Sequence, residues 1–190
     1  MRTLRVAAAR AGGAGLFLLL ALSAGLDGED APPAPEGFSW KRVESLKASF
    51  LMPDGWHFKQ EEQHGARAFF FTLEDIDKAG RFETGLSVNV QTLKRDKAPE
   101  RAAQFVLGMM QAHEVLDQWA KEVGVMKIFG CRVRETEKDH PPLIIHVLTV
   151  ANERSNTLYL MMFESPEASW DAAWAKGRVM LEKFLLDDEV

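Results

Sequence analysis

LIIHVLTV (residues 143–150) and TLYLMMFE (157–164), joined by ANERSN (151–156), decide the fold. Both arms are rich in β-branched, aliphatic and aromatic residues, which suit a pleated surface. The polar connector turns the chain back, so the pair reads as a β-hairpin. Directly after it, Ser165-Pro166-Glu167 has the chemistry of a helix start: a capping hydroxyl, a proline for the first turn and an acid near the positive end of the dipole. Trp170, Ala173, Trp174, Gly177, Leu181, Phe184 and Leu185 then recur at three- and four-residue spacing, the apolar stripe of a closing helix. Gly177 costs roughly 1 kcal/mol of helix propensity relative to alanine. Its place on the stripe points to close contact with a sheet.

Upstream, residues 125–137 read as a strand that Asp139-His140-Pro141-Pro142 breaks. A helix is predicted from about Pro99 to Val123, with Phe105, Met109, Ala112, Leu116 and Trp119 as its stripe and Gly124 as its stop. Residues 86–92 alternate, with Leu86, Val88 and Val90 inward and Ser87, Asn89 and Gln91 outward. Residues 66–73 carry Phe69-Phe70-Phe71, apolar on both faces, as a strand covered above and below must be. Residues 74–85 form a polar loop. Residues 56–62 alternate, after a tight turn at Pro53-Asp54-Gly55. Residues 40–43 and 48–52 read as short opening strands, and His64-Gly65 as a turn. The predicted class is α+β: one mostly antiparallel β-sheet flanked by helices on both faces.

The run Phe50-Leu51-Met52-Pro53-Asp54-Gly55-Trp56, an apolar strand followed by proline and tryptophan, resembles a feature of the PsbP family. Phe70 to Asp75 followed by the alternating Leu86 to Val90 is similar to that family's acidic segment and next strand. The hairpin at 143–164, with Trp170 and the closing helix, is similar too. The resemblance covers about Phe38 to Leu186. It implies the α-β-α sandwich shared by PsbP and the Ran-binding protein Mog1, a fold whose roles are mostly binding or assembly without catalysis.

The N-terminus reads as an address. Arg2, Arg5 and Arg10 form a positive region, residues 16–22 (LFLLLAL) a short apolar core, and Ser23-Ala24-Gly25 a small-residue cleavage point. Residues 1–25 are therefore expected to be a secretory signal peptide. The competing reading, a retained anchor, suffers because residues 11–26 are short for a span. Residues 26–37, with Pro32, Pro33 and Pro35, are expected to be a flexible linker, and residues 38–190 one domain. Loss of the three arginines takes the formal net charge from −5 to −8. An acidic domain without a basic patch argues against nucleic acid as a partner, and no stable membrane span is expected after signal cleavage.

Candidate chemistry is sparse. Cys131, the one cysteine, is expected to be buried and inert. Asp75, Asp77 and Glu83 present oxygen ligands, but an EF-hand beginning at Asp75 would need an oxygen at Ala79 and a glutamate at Leu86. Among His57, His64, His113, His140 and His146, no pair has HxxxH spacing; His57 and His146 fall on strands and would have to meet across the sheet to hold a metal. His113, at the edge of the helix stripe, is expected to be structural. Trp119, Trp170 and Trp174 are assigned to helical core faces, and Trp56, after its turn, to the surface. Paired methionines at 109–110 and 161–162 are assigned to filling core gaps. No GxSxG, phosphate loop or HExxH occurs, and no spacing nominates a triad. No catalytic residue, metal site or cofactor is nominated, and binding residues stay unassigned. The expectation is an exported, non-enzymatic binding or assembly module. Its partner is expected to be another envelope or secreted protein, engaged through the loops at 74–85 and 151–156. The alternative is a small exported hydrolase or metal-dependent enzyme using a site without a sequence signature, with His146 as its test residue.

Overall fold

The hairpin forms where the alternation places it. In the computed structural model, which describes residues 22–23, 31–46, 48–63 and 66–187, strands β9 (Leu143–Asn152) and β10 (Thr157–Pro166) pair antiparallel over their whole length. They sit in a seven-stranded sheet ordered β4-β5-β6-β10-β9-β8-β7, and every pairing in it is antiparallel. The other strands are β4 (His57–Gln63), β5 (Ala66–Thr72), β6 (Gly85–Thr92), β7 (Glu114–Val123) and β8 (Met126–Glu135).

Side-chain alternation makes two different faces. Ile144, Leu148, Val150, Tyr159, Met161, Phe163, Leu86, Val88, Phe69 and Phe71 share one core with helix α3 (Trp170–Glu182). Ile145, Val147, Cys131 and Val133 share another with helix α2 (Ala98–Ala112), which lays Val106, Phe105 and Met109 on them. The two helices therefore cover opposite faces of the sheet, as the sequence predicts. Gly177 is the contact point of α3. A Cβ there would lie 2.6 Å from Phe163 Cε2.

Four expectations need correction. The layer on the α3 side is not a helix alone: β2 (Phe38–Val43), β3 (Ala48–Pro53) and β11 (Leu185–Asp187) form a separate small sheet, with Leu22–Ser23 as a two-residue β1 parallel to β11. It closes that face through Phe50, whose ring lies 5.4 Å from Phe71 and 6.0 Å from Phe184.

Second, the first helix stops at Ala112. His113 is extended (φ −132°, ψ 166°), and residues 114–123 are strand β7 at the sheet edge. Gly124, at φ 57°, opens a two-residue hairpin loop into β8, where glycine is favoured. The hydrogen-bond ladder with β8 outweighs the weak helical periodicity of an almost wholly exposed segment.

Third, Ser165 caps nothing. The β9–β10 ladder runs through it, and its Oγ lies 3.2 Å from Thr84 Oγ and 3.0 Å from Ser169 Oγ. A 3₁₀ turn at Glu167–Ser169 precedes α3.

Fourth, Trp56 is not a surface residue. It is buried against Phe163, with ring centroids 6.4 Å apart.

The loops expected to bind are structurally committed. Glu74 Oε2 accepts from the backbone N–H groups of Glu83 and Thr84, closing the 74–85 loop around the four-residue helix α1 (Ile76–Ala79). Asn156 accepts from the Ala98 N–H and donates to the carbonyls of Leu93 and Asp96, riveting the hairpin turn to the start of α2. The expected signal peptide lies outside the described residues apart from Leu22–Ser23, as do residues 26–30 of the linker and the His64-Gly65 turn. The linker's later part is tied down at Pro32, whose carbonyl accepts from Trp40 Nε1 at 2.6 Å, and at Gly37, whose carbonyl accepts from Asp54 N–H. Among the described residues no helix is long and apolar enough to cross a membrane.

Candidate functional site: an indole stack beneath an arginine

The α3 face of the sheet changes character toward β7. On β8 the residues facing α3 run Met126, Ile128, Gly130, Arg132, Arg134, from apolar to cationic along a single strand. Gly130 has a specific use. A Cβ at this position would lie 2.3 Å from two carbons of the Trp119 indole, so the missing side chain is the seat of that ring. Glycine inside a strand commonly marks such an approach.

From this seat the aromatics continue as a stack. Trp119 lies 4.7 Å from the imidazole of His146, which lies 4.3 Å from Trp174, which stacks on Trp170 at 5.3 Å with an interplanar angle of 10°. The 4.7 Å and 5.3 Å separations fall in the range where aromatic pairs attract beyond their burial. Arg132, paired with His146 across β8 and β9, lays its guanidinium 4.9 Å from the Trp174 ring and 5.3 Å from Trp170.

His146 is 2% exposed, and burial followed by the nearby Arg132 charge pushes its pKa down to about 3. It is neutral at physiological pH. Arg132 Nη2 sits 3.5 Å from His146 Nδ1. Because arginine has only donors, Nδ1 must accept and the ring proton is assigned to Nε2. Nε2 and the neighbouring Trp119 Nε1 are buried and make no hydrogen bond among the described residues. A neutral, enclosed imidazole of this kind cannot take a substrate proton near pH 7.

Arg132 opens on a cleft of about 480 Å³, walled by Leu116, Asp117, Arg134, Ile144, Trp170 and Asp171. Its charges divide into two sets. Arg134 is spent: its Nε donates to Glu167 Oε1 at 3.0 Å and its Nη1 to Glu114 Oε2 at 2.9 Å. Arg132, Asp117 and Asp171 form no ion pair among the described residues. Burial depresses the Arg132 pKa, and the Asp117 charge works in the opposite direction. Asp117 is the cross-strand neighbour of Arg132 and Asp171 lies in the first turn of α3, so the cleft carries one cation and two anions, none of them in a direct ion pair, beside an indole.

The residues singled out in the sequence fare differently. His57 and His146 do not meet: they lie on β4 and β9, with three strands between them. Asp75 pairs with Lys78 at 2.8 Å, Asp77 with Lys59 at 2.8 Å and Glu83 with Arg81 at 3.1 Å, so each of these three carboxylates already has a basic partner. No group of three metal-ligating side chains occurs among the described residues. His113 caps the end of α2, 4.0 Å from Glu135. Cys131 is fully buried, and burial pushes its thiol up to about 11, so it is held as the unreactive acid. Trp170 and Trp174 do lie on the α3 core face, but Trp119 does its packing from a strand. Met161 fills the α3 core, while Met109, Met110 and Met162 pack beneath α2. A second cavity, of about 280 Å³, lies beside Phe82, Glu135 and His140.

Arg132 itself went unnoticed in the sequence. The available signal was Gly130 two residues before it: a mid-strand glycine followed on the same face by two arginines is unusual in a sheet interior.

A central antiparallel sheet with α2 on one face, and α3 with a small sheet on the other, defines an α-β-α sandwich of the PsbP type. Among solved structures, the chain is similar to cyanobacterial PsbP (CyanoP) of Synechocystis, at 16% identity and a TM-score of 0.52, over 80% of this chain and 93% of that one. This match bears out the fold resemblance read from the sequence. Two further similar structures are LpqN, involved in cell envelope biogenesis of Mycobacterium tuberculosis (12% identity, TM-score 0.48, 73% of this chain and 82% of that one), and the Ran-binding protein Mog1p of Saccharomyces cerevisiae (14%, 0.48, 80% and 96%). No family model and no curated protein matches the chain.

Proposed function

We propose that this protein is an exported, non-enzymatic binding or assembly module whose binding site is the cleft beneath Arg132. The observation that carries the reading is the Arg132 guanidinium, in no direct ion pair among the described residues and held on two indole faces at the wall of a cleft. Desolvating a charge without an ion partner is costly, and an incoming anion recovers that cost. The hydrolase alternative would need a base, and His146, its natural candidate, is neutral and enclosed. Export rests on the reading of residues 1–25. The partner is another envelope or secreted protein, met along the exposed rim of the cleft at Val115 and Leu116 on β7, which are 40% and 41% exposed.

The test uses the full chain in a Gram-negative host, with a photocrosslinking amino acid at Leu116 or, as control, at Gln111 on the opposite face. The expected result is a processed protein outside the cytoplasm and a discrete adduct from position 116 that Arg132→Gln weakens. A cytoplasmic, unprocessed protein would contradict export. Identical patterns from both positions would contradict the binding site.

A further inference from the structure

We propose that the cleft holds a small zwitterion, a ligand with the carboxylate and ammonium of a free α-amino acid. The inference rests on the cleft being the binding site, as proposed above, and adds the ligand's chemistry. Of the charged groups on its wall, Arg134 and Glu167 satisfy each other. What remains is Arg132, its cross-strand neighbour Asp117, and Asp171 in the first turn of α3, on a wall shared with Trp170, Leu116 and Ile144.

A ligand carrying only negative charge would gain at Arg132 and lose against two carboxylates. A cation would do the reverse. A compact molecule with both charges matches both sets at once, and like-charge contacts then exclude the alternatives. The guanidinium suits a carboxylate in particular: its Nε is buried, and Nη1 and Nη2 together can donate to two oxygens. Its orientation is fixed in advance: the faces of Trp170 and Trp174 hold it, and His146 Nδ1 takes one of its N–H groups. A volume of about 480 Å³ accommodates an amino acid with an aliphatic side chain against Leu116 and Ile144.

Calorimetry on the full mature chain, with L-leucine as probe, tests this. N-acetyl-L-leucine keeps only the carboxylate, and L-leucinamide keeps only the ammonium. Saturable binding of L-leucine is expected, with each analogue weaker by about tenfold or more, the scale of one lost charge-assisted contact. Arg132→Gln should weaken L-leucine by a similar factor. The double variant Asp117→Asn/Asp171→Asn changes two exposed residues, with its fold checked by circular dichroism; it should weaken L-leucine but not N-acetyl-L-leucine. No saturable heat with L-leucine up to about 10 mM would overturn the proposal. So would N-acetyl-L-leucine binding as tightly as L-leucine, or an L-leucine affinity unchanged in the double variant. If L-leucine fails while the crosslinker at Leu116 still traps a partner in an Arg132-dependent way, the ligand class falls and the binding-site reading stands.

Discussion

Replacing Gly177 by alanine separates two effects of opposite sign. In a helix interior, alanine gains about 1 kcal/mol over glycine. At Gly177 the new Cβ would lie 2.6–2.7 Å from three atoms of the Phe163 ring, where carbon–carbon contact requires about 3.5 Å or more. The ring has nowhere to go: it is fully buried, with Trp56 at 6.4 Å, Trp170 at 5.9 Å and Trp174 at 5.7 Å. Overpacking of this kind costs about 1–3 kcal/mol, so the net change is a loss of up to about 2 kcal/mol. Gly108, on the exposed side of α2, has nothing within 4 Å of its would-be Cβ. There the same substitution should stabilise by about 1 kcal/mol. Urea unfolding compares the two through the midpoint at constant slope. Gly108→Ala should raise the midpoint, and Gly177→Ala should fail to raise it or should lower it. If Gly177→Ala stabilised as much as Gly108→Ala, α3 would not be seated on Phe163, and the layering described above would be wrong.

Gly130→Ala should evict the Trp119 indole and cost about 2–4 kcal/mol, the sum of overpacking and a lost aromatic contact, read from denaturant unfolding together with a red shift in tryptophan emission. Glu164 is pushed up to about 7 by burial and then by Glu135. Its contribution to stability is therefore complete below its ordinary value of 4.5 and is lost as pH rises through 7. His146 works in reverse: its contribution is present above 6.5 and is lost as pH falls toward 3. The two slopes oppose each other between 4.5 and 6.5, so Glu164→Gln should stabilise the protein at pH 8 and steepen its acid loss below 6.5. Parallel urea midpoints for both proteins across that range would refute this. Cys131 should resist a thiol reagent at pH 8 in native protein and react at once in denaturant; rapid native reaction would show that its burial is wrong.

The fold was legible where a segment's pattern admitted a single reading. The 143–164 hairpin, the alternating Leu86–Val90 and the α3 stripe from Trp170 to Leu181 formed at their expected places, because each must bury a continuous apolar face; the stripe's last two residues did not, since α3 ends at Glu182 and Leu185 pairs with β3 in strand β11. Residues 114–123 failed for the opposite reason. Apart from Trp119 and Val123 they are exposed, so their helical hydrophobic spacing carries little energy, and pairing with β8 decided their state. Trp56 was misplaced because its neighbours are hydrophilic, while its actual partner, Phe163, lies more than a hundred residues away in sequence. The same distance hid the cleft. Its charged wall comes from β7, β8 and the start of α3, and sequence spacing does not encode which arginine already has a carboxylate.

His146 is a neutral, enclosed link between two indoles and holds Arg132 at the cleft. Side-chain ¹⁵N and ¹³C NMR of the histidines, followed from pH 8 to pH 4, measures this directly. The His146 ring should stay neutral throughout, with its proton on Nε2. An imidazole at position 146 that titrates between pH 6 and 7 would contradict the stack and restore the acid–base chemistry that the binding-module reading sets aside.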